Sequence, residues 1–142
     1  MSGGPTGSPR LPEPDATTSG CVADMTLPQS ESEVKVRVYH PAISVATSVA
    51  ADFRSRRFDV VEATTTTEST GEFSAVIRYG PAEVGEARLV LAHLPPDLVS
   101  MEFDRDKKGA VDVILGTRFT RLVTITEMRE SITALGPPEP PC

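Results

Sequence analysis

Hydrophobic and polar positions alternate strictly where the patterned part of the chain begins. Val34, Val36 and Val38 are separated by polar or amphipathic residues, which is the period of a strand with one buried face. Beyond the proline at position 41, apolar residues recur at helical spacing between Val45 and Phe53. The pattern therefore predicts a strand followed by an amphipathic helix.

Two further strands and a second helix follow. Residues 58–66 and 73–79 are rich in β-branched and aromatic residues and predict a second and a third strand. Pro81 stands where a proline favours the first position of a helix, and an apolar stripe from Val84 to Leu94 continues that helix. The chain is thus predicted to pass through two strands into a second helix.

Two short apolar runs close the pattern. Residues 99–103 and 110–115 predict a fourth and a fifth strand, and the polar residues 106–109 predict a hairpin turn between them. The predicted fold class is α+β: two helices packed on one face of a mixed sheet of about five strands, in the order β-α-β-β-α-β-β.

The two ends of the chain have a different composition. Residues 1–32 are rich in Pro, Gly and Ser and predict a flexible arm, which cannot bury enough apolar surface to fold. Residues 33–122 are predicted to form one domain, and residues 123–142 a C-terminal tail that is Pro-rich at its end. A chain of 142 residues has room for a single domain of this kind.

Charge narrows the possible partners. Of the net charge of -6, residues 1–33 contribute -4, from five acids against one arginine. Residues 34–119 hold eleven bases and twelve acids and are almost neutral. Because phosphate neutralisation supplies most of the affinity for nucleic acid, no nucleic-acid partner is predicted. No apolar run is long enough to span a membrane, so any membrane attachment is expected through an anchor outside this chain.

Cys21 and Cys142, the two cysteines of the chain, bracket the predicted domain. Both lie in flanking sequence, where a buried structural thiol is not expected. They predict either a disulfide that closes a very large loop in an oxidising compartment, or two unrelated free thiols.

The sequence contains no nucleophile elbow, no zinc-protease helix, no paired-cysteine motif and no phosphate-binding loop. The two histidines, His40 and His93, have no sequence neighbour that would complete a triad, and they are predicted to be surface residues. The chain is therefore predicted not to be an enzyme and to need no cofactor and no metal.

The outward side of the sheet offers a candidate binding surface. If the valines of the first strand face the helices, Arg37 and Tyr39 face away, and Arg78 of the third strand lies on the same side. A tyrosine ring can stack on a sugar, and an arginine can bind a carboxylate through two parallel hydrogen bonds. Arg37, Tyr39 and Arg78 are thus predicted ligand-binding residues, with an ordinary solvated face or a dimer surface as the alternatives.

Four segments carry a resemblance to a known family. Residues 36–39, 57–61, 76–81 and 112–119 read VRVY, RFDVV, VIRYGP and DVILGTRF. In order and spacing they resemble the LytR C-terminal domain family over residues 34–122. This domain follows the catalytic domain of many LytR-CpsA-Psr proteins, and it also occurs behind one membrane helix in actinobacterial envelope proteins.

The resemblance implies an extracytoplasmic domain, membrane-anchored in its full-length form, that supports cell-envelope integrity. It implies no phosphotransferase activity, since that chemistry belongs to a separate domain. The implied partner is peptidoglycan or another cell-wall polymer, or an envelope membrane protein. The alternative is a structural or regulatory subunit of a membrane protein complex that binds no polymer.

Overall fold

The computed structural model describes residues 27–95 and 98–134, which form five strands and three helices. The strands are β1 (Lys35–His40), β2 (Asp59–Thr65), β3 (Ala75–Tyr79), β4 (Val99–Phe103) and β5 (Val111–Leu115). The helices are α1 (Ile43–Ser55), α2 (Val84–Ala92) and α3 (Ile125–Ala134). The predicted α+β class is confirmed, with one helix more than predicted.

The five strands form one mixed sheet in the order β2-β1-β5-β3-β4. β1 runs parallel to β2 and to β5, and β3 runs parallel to β4, whereas β3 and β5 are antiparallel. β5 therefore lies at the centre, and all of its residues are buried. A strand that is covered on both faces reads as a continuous apolar run, as this one nearly does.

The core lies between the sheet and two helices. Val34, Val36 and Val38 are fully buried and share one apolar cluster with Phe53 of α1 and Val90 of α2. The alternation predicted for the first and third strands is confirmed, since every second residue of β1 and β3 is buried. The opposite side of the sheet, here called the outer face, carries the side chains that point away from α1 and α2.

The predicted hairpin between the fourth and fifth strands is wrong, because β3 lies between them. The connection from β4 to β5 instead crosses the end of β3. A Cβ atom at Gly80, directly after β3, would lie 1.7 Å from the Lys107 carbonyl oxygen, so only glycine leaves room for this crossing. The buried carboxylate of Glu83 accepts hydrogen bonds from the backbone N–H groups of Gly80 and Gly109, both at 3.2 Å. It thus fastens the connection to the start of the second helical segment.

Helix α3 lies within the stretch that was predicted as a tail. Met128 is buried against Ala92 and Val123, and Ile132 packs on the same small cluster. This cluster attaches α3 to the end of α2, and so extends the folded part of the chain to residue 134.

Candidate functional site

The predicted binding residues Arg37, Tyr39 and Arg78 all lie on the outer face, but the sheet order does not place them side by side. β5 separates β1 from β3, so Asp112 stands between the two arginines in register. Tyr39 lies two residues beyond Arg37 on the same strand, and it pairs in register with Ile114 of β5.

A row of alternating charge crosses the whole outer face. Arg37 of β1 pairs in register with Glu62 of β2 on one side and with Asp112 of β5 on the other. Arg78 of β3 pairs in register with Asp112 and, on its other side, with Glu102 of β4. The order from β2 to β4 is therefore acid, base, acid, base, acid. Opposite charges directly across neighbouring strands stabilise a sheet, so this row supports the strand order.

Arg78 is occupied by partners from its own chain. Its guanidinium forms ion pairs with Glu68, from the loop after β2, and with Glu102 of β4. The hydrogen bond to Glu68 is the largest of the effects that raise the pKa of Arg78. Because both carboxylates neutralise its charge, Arg78 is less available to a ligand than the sequence suggested.

Arg37 is held more loosely. Its closest approaches are 3.7 Å from Nε to the Glu62 carboxylate and 4.0 Å from one terminal nitrogen to the Asp112 carboxylate. These distances are too long for good hydrogen bonds, and 40% of the side chain is exposed. Its guanidinium can therefore still donate hydrogen bonds to an incoming group.

Asp112 also belongs to this surface, although it was not among the predicted site residues. It is only 9% exposed, and its Oδ2 is 3.0 Å from Nζ of Lys107. Its Oδ1 accepts no hydrogen bond from any residue in the described ranges. The available signal was a single acid inside the apolar strand Val111–Leu115, because a buried carboxylate is costly unless it is paired, and a polar residue in such a strand therefore points to a specific partner.

Tyr39 is half-buried on the outer face. Burial raises the pKa of its hydroxyl, and the negative charges of Asp112 and Glu62 raise it further. The hydroxyl therefore stays protonated at neutral pH and can donate a hydrogen bond. Beside it, Ile114 is 2% exposed yet lies outside the main core, so the centre of the outer face combines apolar and polar groups.

The prediction that both histidines are surface residues is wrong. His40 is 7% exposed, and its Nδ1 accepts the backbone N–H of Ala42 at 2.8 Å, which closes the turn into α1. His93 is fully buried, with its ring packed edge-on against Phe58 at 4.9 Å between centroids. The ring of His93 is hydrogen-bonded by residues distant in sequence, so its neighbours in the chain gave no sign of its burial.

His93 joins three segments of the chain. Its Nδ1 lies 3.1 Å from the Arg56 guanidinium and its Nε2 lies 3.2 Å from the Glu31 carboxylate. Arg56 also donates to the Val123 carbonyl at 2.6 Å. Burial lowers the pKa of His93 and the charge of Arg56 lowers it further, while the hydrogen bond to Glu31 opposes this. A neutral ring that accepts from Arg56 and donates to Glu31 satisfies all three groups.

Neither metal-ligand geometry nor a membrane span occurs in the described ranges. Within residues 27–95 and 98–134, no three His, Cys, Asp or Glu side chains lie close enough together to hold an ion. No helix of these ranges is both long and apolar enough to cross a bilayer. The predicted disulfide partners Cys21 and Cys142 lie outside the described residues, so their pairing stays a prediction.

Comparison with known proteins gives one family and one similar structure. The family model described as "LytR cell envelope-related transcriptional attenuator" matches residues 33–119. No curated protein sequence matches this chain. A solved structure, the soluble domain of a conserved hypothetical secreted protein from Mycobacterium marinum, has a TM-score of 0.61 and 23% identity. The match covers 80% of this chain and 82% of that one, and at this identity it concerns the fold.

Proposed function

The chain belongs to the LytR cell envelope-related transcriptional attenuator family, and from this we propose that it is a non-catalytic extracytoplasmic module supporting bacterial cell-envelope integrity. It would act by binding cell-wall polymer, with peptidoglycan as the first candidate. The similar structure is that of a secreted protein, which supports a location outside the cytoplasm. The membrane anchor that the family resemblance implies would lie outside this chain.

Polymer binding is supported by the groups that remain free on the outer face. Asp112 Oδ1 is buried, accepts no hydrogen bond from the described residues and lies 4.0 Å from the Arg37 guanidinium. A ligand that draws Arg37 aside would open this oxygen to a sugar hydroxyl, which would satisfy it. Arg37 can bind a carboxylate of the wall, and Tyr39 can stack on a sugar ring. These three residues lie on two neighbouring strands. Arg78, from the predicted set, would contribute less because Glu68 and Glu102 already occupy it.

Co-sedimentation with purified peptidoglycan tests this proposal. We expect the wild-type protein to pellet, and Arg37→Ala and Asp112→Asn each to weaken binding about tenfold, since a lost charge-assisted hydrogen bond is worth roughly 1.4 kcal/mol or more. Arg78→Ala should have a smaller effect than Arg37→Ala. Arg129→Ala is the matched control, because it removes one arginine from α3, in the helical layer on the other side of the sheet.

Two results would count against the proposal in different ways. Failure of the wild-type protein to pellet would remove polymer binding altogether. If Arg37→Ala and the Arg129→Ala control lost the same amount of peptidoglycan binding, the protein would still bind the polymer, but the outer face would not be its site. Turnover of any wall-derived substrate would contradict the non-catalytic assignment.

The second candidate function is a structural or regulatory subunit of a membrane protein complex, with no polymer binding. It is favoured by the extent to which the charged row is neutralised within the chain, since Arg78 carries two ion pairs of its own. In-cell crosslinking from a photoreactive residue at position 35, on the exposed start of β1, distinguishes the two. Adducts with proteins alone favour the subunit, whereas glycan adducts favour the polymer-binding module.

A further inference from the structure

A groove of about 530 Å³ lies on the helical side of the molecule, away from the outer face. Residues 27–31, the end of α1 and one side of α3 form its walls, and His93 lies at its base. This volume is within the range of sites that hold small molecules or short peptide segments.

The lining combines apolar and polar groups. Eight of the fourteen lining residues are polar or charged, so the groove resembles a peptide site more than a channel for a hydrocarbon tail. The aliphatic part includes two exposed side chains, Leu27 at 38% and Ile125 at 40%. Met128 and Ile132 continue this part along α3.

The groove is also positively charged on an acidic protein. Three arginines line it against a single acid, Glu31, although the isoelectric point of the chain is about 4.9. Arg56 is fixed by His93 and by the Val123 carbonyl. Arg57 and Arg129 are exposed and form no ion pair with any residue in the described ranges. Their two charges are therefore available to a ligand.

Arg57 stands at a position that favours glycine. Helix α1 ends in a Schellman motif, which consists of two backbone hydrogen bonds. The Phe58 N–H donates to the Phe53 carbonyl, and the Arg57 N–H donates to the Arg54 carbonyl. Arg57 takes the left-handed position of this motif, with a φ of 80°, and Phe53 packs on Phe58 at 5.1 Å between ring centroids. A long cation thus occupies a backbone position that favours glycine, and its side chain lines the groove.

We propose that this groove binds an acidic peptide segment of a partner protein that also carries aliphatic side chains. Carboxylates of the segment would pair with Arg57 and Arg129, and its aliphatic residues would cover Leu27 and Ile125. Charge complementarity selects the acidic partner, and the mixed lining selects a peptide. The proposal does not depend on polymer binding, because the groove and the outer face lie on opposite sides of the sheet.

Fluorescence anisotropy with a short labelled peptide of alternating Glu and Leu tests the groove. We expect the full chain to bind it, and the double variant Arg57→Gly/Arg129→Ala to bind at least about tenfold more weakly, as two charge-assisted contacts are lost. Glycine suits the backbone of residue 57 and residue 129 is an exposed helix position, so this variant should remain folded. A peptide of alternating Lys and Leu should not bind.

The matched control is Arg105→Ala/Arg118→Ala, which removes two exposed arginines that do not line the groove and so changes the net charge equally. Its affinity should stay within about twofold of wild type. Absence of peptide binding to the wild type, or equal losses in the two double variants, would overturn the proposal. So would protein that pellets with phosphatidylglycerol vesicles through Arg57 and Arg129 without binding the peptide, because the groove would then be a lipid site.

Discussion

At the scale of single residues, His93 shows how a polar side chain can be buried in the hydrophobic core. Its two ring nitrogens contact Arg56 and Glu31, which lie 37 and 62 residues away in the sequence. Its backbone carbonyl accepts the N–H of Val123 at 3.0 Å. Burying a neutral, fully hydrogen-bonded ring costs little, whereas protonating it beside Arg56 places a second positive charge in the interior.

This arrangement predicts how stability depends on pH. The pKa of His93 is lowered below its ordinary value of 6.5, so below that pH the unfolded chain binds the proton more readily than the folded one. Stability from His93 is therefore fully present well above pH 6.5 and is lost as the pH falls through and below that value. We expect the urea midpoint of the wild type to decrease between about pH 7.5 and pH 5.5.

His93→Gln provides the comparison, because its amide can replace part of the hydrogen bonding but cannot titrate. We expect it to be less stable at the upper pH and to change less across the range. An equally steep decrease in His93→Gln would show that other groups cause the pH dependence.

Arg57→Gly is expected to make the protein more stable. A residue with a Cβ atom pays about 1 kcal/mol in the left-handed region, and glycine does not. Urea unfolding should therefore show a gain of about 1 kcal/mol for Arg57→Gly, and Arg129→Ala should stay within about 0.5 kcal/mol of wild type. A loss of stability instead would mean that packing by the arginine side chain outweighs the backbone strain.

At the scale of elements, the sequence predicted what depends on local periodicity and missed what depends on distant pairing. The faces of β1 and β3 follow from alternation alone, and so does the placement of Arg37, Tyr39 and Arg78 on one side. The predicted β4–β5 hairpin was wrong because β5 pairs with β1 and β3, and local periodicity does not indicate which strands will be neighbours in the sheet. The partners of Arg78 were equally hidden, since Glu68 comes from a loop and Glu102 from a strand that was expected beside β5.

Helix α3 was missed although it begins with a recognisable signal. Thr124 Oγ1 accepts the Glu127 N–H at 3.1 Å, and the Glu127 carboxylate accepts the Thr124 N–H at 2.9 Å, which is a capping box. The bond to the Thr124 backbone is the largest of the effects that lower the pKa of Glu127. The apolar stripe of the helix is narrow and only Met128 is buried, so periodicity gave little indication of it.

Thr124→Ala is expected to loosen α3. Loss of an N-cap side chain costs about 1 kcal/mol, and hydrogen exchange should rise in the first turn of α3 before it rises in the sheet. Thr126→Ala, an exposed change within the same turn, should be neutral or slightly stabilising because alanine is the better helix former. If Thr124→Ala and Thr126→Ala raised hydrogen exchange equally, the capping box would not be the reason that α3 begins at Ile125.

At the scale of the whole molecule, the sheet separates two surfaces of different chemistry. The outer face is nearly neutralised within the chain and keeps a few free groups around Asp112. The groove on the helical side keeps Arg57 and Arg129, which form no ion pair with another described residue, beside aliphatic side chains. Neither surface is visible in the overall charge, because the acids that make the chain negative lie mainly in residues 1–33. The two proposals together predict a module that contacts a polymer and a protein at the same time.

The two surfaces should therefore act independently. Substitutions at separate sites that share no partner usually have additive effects, so a change on one face should leave binding at the other unaltered. We expect Arg37→Ala to reduce pelleting with peptidoglycan about tenfold while it binds the Glu and Leu peptide like wild type. Arg57→Gly/Arg129→Ala should show the reverse, and the combined variant should lose both activities by the same factors. Measuring both assays on these proteins, with and without the other ligand present, would reveal any coupling. A change of peptide affinity in Arg37→Ala, or upon addition of peptidoglycan, would mean that the sheet transmits binding from one face to the other.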